Sequence, residues 1–188
     1  MQIQIRLIVL DKFRWPRSKM PLRVYIKKGD GVPRCQAAYY DLVKECCHEW
    51  ELATASKVRF VFVDSVSDCD INVQWIEYGR NIGRDQACGT TKFFATNGYL
   101  LTTKVYLATT MPDRWLGGTQ DAHTMRHTIL HEIGHSLGMT HSPFTTDIMY
   151  FQSNARQRVM VQGIIPVNIP LPVNISANDW RRVNTLYP

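Results

Sequence analysis

Apolar and polar residues alternate along Leu22-Arg23-Val24-Tyr25-Ile26-Lys27, the period of a half-buried strand, and Lys28-Gly29-Asp30-Gly31 supplies a turn to close it. From Pro33 the period lengthens. Tyr39, Leu42, Val43, Cys46 and Trp50 recur at steps of three and four, with Asp41, Lys44, Glu45, His48 and Glu49 on the other side. This predicts an amphipathic helix with Pro33 in its first turn. Val58–Val63 and Ile71–Ile76 read as strands, and Thr90–Ala95 and Leu101–Ala108 as two more across an Asn97-Gly98 turn. A second helix is expected from about Thr124 to Leu137. Strands alternating with helices predict a parallel or mixed sheet with helices packed on it, hence an α+β chain with an α/β-like first lobe.

Beyond Gly138 the texture changes. Residues 142–175 hold Pro143, Pro166, Pro170 and Pro172 and only short apolar clusters such as Val167-Asn168-Ile169, so a long irregular loop is expected. Ser176 with Asp179 three positions on forms a variant capping box, and Trp180, Val183, Leu186 and Tyr187 continue it as a closing helix. No internal repeat or low-complexity segment occurs.

A chain of 188 residues with 45% apolar and 20% charged positions fits one domain, residues 1–188, with a sizeable core. No apolar run approaches the roughly 20 residues of a membrane span. The first ten residues lack a basic n-region and a small-residue cleavage site, so they do not read as a signal peptide. Either a leader was removed earlier or the protein is not exported by that route. The formal charge of +6 is spread along the chain, with no basic helix interleaved with aromatics, so nucleic acid is not an expected partner. Cys35, Cys46, Cys47, Cys69 and Cys88 form no CxxC pair, which argues against a thiolate zinc site. One or two disulfides, for example involving Cys69 and Cys88, are an open expectation.

Chemistry concentrates in His131-Glu132-Ile133-Gly134-His135-Ser136-Leu137-Gly138-Met139-Thr140-His141. On a helix, His131 and His135 share a face and aim their imidazoles at one spot. Glu132 lies about 100° around, within reach of a metal-bound water without being a ligand. Gly138 permits a left-handed helix end that swings His141 back as the third nitrogen. Three protein ligands leave a fourth position open, the arrangement of a catalytic zinc. Such a metal acidifies water and polarises a carbonyl, with Glu132 as general base and proton carrier. A bare HExxH also occurs on solvated helix faces. Five fixed residue types at this spacing arise by chance on the order of once in millions of positions.

The segment resembles the signature of the metzincin zinc metallopeptidases. Ser142 directly after the third histidine, and Asp147-Ile148-Met149-Tyr150 with Met149 eight residues beyond His141, resemble the matrixin branch. The resemblance implies a zinc endopeptidase of the metzincin fold: a twisted mixed sheet of about five strands packed by two long helices and a cleft. An N-terminal lobe of about residues 20–141 would be followed by a small irregular C-terminal lobe, about 142–188, ending in a helix. It implies a Met-turn in which Met149 underlies the metal, and an Asp179 that hydrogen-bonds the Met-turn backbone; plain helix capping is an equal reading of Asp179. An extended polypeptide substrate would pair with an edge strand, here assigned to Thr102–Ala108, with Tyr150, Phe151 and the following loop walling the pocket. The resemblance also implies a secreted or extracellular monomer.

Departures from the pattern narrow that label. Region 79–121 contains no histidine and only Asp85, Asp113 and Asp121 as acids, so the second, structural zinc of animal matrixins is not expected and calcium is in doubt. A minimal, bacterial-type relative is implied. Pro33-Arg34-Cys35 imitates the family's inhibitory cysteine motif but follows the first strand, so it is not read as one. Asn178 stands where the family commonly has an acid that pairs with the mature N-terminus. His48 is expected in solvent and His127 as an ordinary helix histidine, with support of the metal centre as its alternative. Asn174-Ile175-Ser176 matches a glycosylation sequon, but Ser176 is better explained as a helix cap. Arg156 and Arg158 are read as solvated loop charges. The alternative to an endopeptidase is a catalytically impaired peptide-binding domain that keeps the zinc site, and retention of Glu132 argues against it.

Overall fold

The computed structural model describes residues 11–78, 88–110, 119–150, 157–161, 165–169 and 171–188, and for 157–169 the backbone alone. In chain order the elements are β1 (Leu22–Ile26), α1 (Ala38–Ala53), β2 (Phe60–Val63), β3 (Ile71–Ile76), β4 (Gly89–Thr96), β5 (Tyr99–Ala108), α2 (Ala122–Ser136), β6 (Gln157–Val161), β7 (Ile165–Ile169) and α3 (Ala177–Leu186).

The first five strands form one mixed sheet in the order β2-β1-β3-β5-β4. Neighbours from β2 to β5 run parallel, and β4 closes the sheet antiparallel to β5. The β4–β5 turn is the two-residue Asn97-Gly98, both at positive φ (49° and 81°), as the right-handed strand twist demands of so tight a hairpin. Alternation places Leu22, Val24 and Ile26 of β1, and Val105 and Leu107 of β5, in the core. The α+β reading of the sequence holds.

The helices pack on this sheet through the predicted apolar face of α1. Tyr39, Val43, Cys46 and Trp50 are buried, and Trp50 Nε1 donates to the Leu130 carbonyl of α2 at 3.0 Å. Trp15 Nε1 donates to the Ser136 carbonyl at 2.8 Å, and Tyr187 Oη to that of Leu137 at 2.8 Å. Large side chains that each contribute about 1.5–3 kcal/mol when buried are thus hydrogen-bonded to the helix that carries the histidine segment. Among the described residues no helix is long and apolar enough to cross a membrane.

Four expectations change. Helix α1 begins at Ala38, not Pro33, because the chain first turns through Gly31 (φ 78°) and Arg34 (φ 61°). The edge strand is β4, Gly89–Thr96; the strand at 102–108 lies inside the sheet between β3 and β4, an order set by pairing that local periodicity does not reveal. The 142–175 stretch contains an antiparallel ribbon, β6–β7, with Pro166 opposite Met160. A two-stranded ribbon leaves a free edge on each strand, where proline's missing N–H does no harm. No disulfide forms: Cys46 and Cys47 are consecutive in α1 and buried in the core, and Cys69 Sγ turns back to the Val66 carbonyl at 3.2 Å. Burial pushes the Cys46 thiol up to about 12, which keeps it protonated and unreactive.

Candidate metal centre

Helix α2 opens with Asp121, whose Oδ1 accepts the Thr124 N–H at 2.7 Å, and it buries most of its residues. It ends as its sequence predicts. Gly138 at φ 93° carries the chain backward, with Gly138 N–H donating to the His135 carbonyl and Met139 N–H to that of Gly134. A Cβ at Gly138 would stand 1.9 Å from the Phe13 carbonyl oxygen, so the turn is also hemmed by the N-terminal segment. Reversal there brings His141 over the first two histidines.

Among the described residues, His131, His135 and His141 are the group of metal-binding side chains whose ligand atoms converge, all within 4.8 Å of one another. His131 Nδ1–H donates to the Ile148 carbonyl and His135 Nδ1–H to the Met139 carbonyl, each at 2.7 Å. A carbonyl only accepts, so both Nδ1 atoms carry the proton and both Nε2 atoms present lone pairs. His135 Nε2 lies 3.1 Å from His141 Nε2. Tetrahedral zinc with Zn–N bonds of about 2.1 Å separates its ligand nitrogens by about 3.4 Å, so the donor set fits zinc. Burial drives the His131 pKa well below its ordinary value and, with His141 beside it, brings His135 down to about 4. Burial and the Arg182 guanidinium lower His141 as well. Neutral imidazoles, the metal-binding form, therefore persist across physiological pH.

Glu132 is buried against the sheet edge. Thr91 of β4 approaches it with Oγ1 2.7 Å from Oε2 and 3.0 Å from its backbone carbonyl oxygen. Gly89, two residues earlier on β4, packs on the same side chain. Neither position carries a signal in the sequence, because the contact spans about forty residues and depends on which strand lies at the edge.

Below the histidines lies the turn 142–150. Ser142 N–H donates to the Met149 carbonyl at 2.6 Å, and the Ser142 hydroxyl donates to Asp147. Met149 is fully buried beneath α2, so close that a Cβ at Gly134 would stand 2.3 Å from Met149 Sδ and 3.0 Å from the Trp50 ring. Gly134 thus lets Met149 seat directly under the turn of α2 that carries His131 and His135. Asp179 plays both parts expected of it. Its carboxylate accepts the Ile148 N–H at 2.8 Å and the Met149 N–H at 3.4 Å, and it completes a capping box with Ser176. Asn178 Nδ2 donates to Asp147 at 2.6 Å.

His48 is exposed beside Glu51, as expected. His127 lies on α2 and is buried, bonded through Nδ1 to the Pro172 carbonyl at 2.7 Å, with its ring centroid 6.0 Å from that of His131. Asp11, which the sequence did not single out, accepts Thr140 N–H at 2.7 Å and pairs with Arg182 of α3 at 2.8 Å, tethering the residue before His141. Phe151, Arg156, Asp85 and Asp113 lie outside the described residues, as does the Arg158 side chain; Tyr150 N–H closes on the Asp147 carbonyl at 3.1 Å.

A mixed sheet bearing three converging histidines on a helix that reverses at glycine fits a zinc metallopeptidase. The chain belongs to the matrixin family, whose model matches residues 14–187. No curated protein matches it.

Proposed function

We propose that this chain is a zinc-dependent endopeptidase in which His131, His135 and His141 hold the metal and Glu132 is the general base. The observation that carries the reading is the convergence of three imidazoles, two with Nδ1 protonated, beside a buried carboxylate on the adjoining residue. When bound there, zinc supplies Lewis acidity that acidifies water and polarises a carbonyl. Glu132 accepts the proton of the attacking water and returns it to the departing amine. Among the described residues β4 is an edge of the sheet, and its outward main-chain groups would pair with an extended polypeptide and align its scissile bond over the histidines.

The test incubates an unfolded polypeptide with wild type, with wild type plus a zinc chelator, and with Glu132→Ala. Cleavage that chelator abolishes and the variant reduces to a small residual rate is expected. Chelator-resistant cleavage, or full activity in the variant, rules the mechanism out. One zinc per chain with no cleavage of any polypeptide identifies a peptide-binding domain instead.

A further inference from the structure

A general base works only if its carboxylate is held towards the reacting water, and β4 supplies contacts that can hold it. Two of its residues meet the Glu132 side chain. Residues 89 and 91 project to one face of the strand because side chains alternate, and that face looks at α2. At residue 89 a Cβ would stand 2.7 Å from Glu132 Cγ, 2.8 Å from Thr128 Cγ2 and 3.0 Å from Glu132 Oε1. The strand backbone is therefore a wall against the Glu132 stem, and only glycine permits that approach. At residue 91 the hydroxyl stands 2.7 Å from Oε2. It has one proton and two acceptors in reach, the carboxylate and the Glu132 main-chain oxygen at 3.0 Å; the carboxylate is the nearer.

We propose that Thr91 is the positioning residue for Glu132: its hydroxyl fixes the carboxylate while Gly89 blocks the stem from swinging away. The inference rests on the endopeptidase reading above. Because Thr91 sits on the strand proposed to pair with the peptide, the element that aligns the substrate also aligns the base. Main-chain groups on the free edge lie in the plane of the sheet, whereas the Thr91 side chain stands out of it. Removing the hydroxyl therefore acts on kcat and leaves KM nearly unchanged.

The experiment compares steady-state cleavage of one peptide by wild type, Thr91→Val, Thr91→Ser, Glu132→Ala and the Thr91→Val/Glu132→Ala pair, with zinc content measured for each. Valine keeps the shape and loses the donor; a drop in kcat of about tenfold to a hundredfold is expected, the usual effect of losing a group that orients the reacting one. Serine should restore kcat to within about threefold, and the valine change should add nothing once Glu132 is alanine. Should the valine variant lose zinc or fold poorly, Thr91→Ser decides: a tenfold fall in its kcat overturns the proposal. So does a kcat for Thr91→Val within twofold of wild type, or an equal further loss in the Glu132→Ala background. Those results leave the endopeptidase reading intact provided Glu132→Ala keeps only a small residual rate, against which the pair is compared. Full activity of Glu132→Ala overturns both.

Discussion

Asp179→Ala tests whether α3 supports the metal centre through the Met-turn. Asp179 is fully buried and accepts the Ile148 N–H at 2.8 Å, the Met149 N–H at 3.4 Å, the Ser176 N–H at 3.2 Å and the Ser176 hydroxyl at 2.8 Å. Alanine leaves the Ile148 and Met149 donors without a partner in a segment that excludes water, at about 1–3 kcal/mol each, with the long Met149 bond at the low end. Loss of half the capping box adds about 1 kcal/mol. Removing a buried carboxylate that faces Asp147 offsets part of this, so about 3 kcal/mol is expected, a large share of a typical domain stability of about 5–15 kcal/mol. Urea unfolding of the zinc-free protein measures it from the shift in midpoint at constant slope. A second readout follows from the Ile148 carbonyl, which holds His131 Nδ1 at 2.7 Å. Zinc affinity should fall about tenfold to a hundredfold in a chelator competition. A stability change under 1 kcal/mol, or a large one with zinc affinity unaltered, breaks the chain of contacts from Asp179 to His131. Burial, reinforced by Asp147, also raises the Asp179 pKa. Its folded form thus binds the proton more tightly than its unfolded form, and the contribution is complete below the unfolded pKa and lost as pH rises through the folded one. The stability gap between wild type and Asp179→Asn should widen as pH falls.

Asp70 carries the opposite sign. Burial alone would raise its pKa, but hydrogen bonds from the Arg23 side chain and backbone and from Lys19 outweigh that and lower it. Its contribution is present above the unfolded pKa and lost as pH falls through the folded one, so Asp70→Asn should lose about 2 kcal/mol at neutral pH and close on wild type in acid. An unchanged gap down to pH about 2 refutes that ion-pair account. Gly138→Ala meets both a φ of 93° and the Phe13 carbonyl oxygen, so it should lower stability by about 2–4 kcal/mol in thermal unfolding. A loss under 1 kcal/mol shows that the helix end has another way to turn.

What could be read along the chain was what local geometry dictates. A three-histidine centre needs two ligands four apart on a helix, a residue that tolerates positive φ, and a third ligand just beyond. All three conditions fall within eleven residues, so residue types and spacing expose them. Tight turns and period-two strands are local in the same sense, as Asn97-Gly98 and Ile71–Ile76 illustrate. Sheet order is not: assigning the edge to β4 rather than β5 requires knowing that β5 pairs with β3. The β6–β7 ribbon was obscured because Pro166 and Pro170 are loop signals by composition, whereas a ribbon tolerates proline at its free edges. The groups that contact the centre from distant parts of the chain share this character. Thr91 meets Glu132 across 41 positions, Asp179 meets Ile148 across 31, and Asp11 meets Arg182 across 171. Each is a common polar residue that means nothing by itself and acquires a role only from its partner. The three histidines therefore reside in one segment, while the contacts that reach them and Glu132 are distributed over β4, the Met-turn, α3 and the N-terminal segment. Substitutions inside the segment should abolish metal binding or turnover outright, and those at the distant partners should grade it.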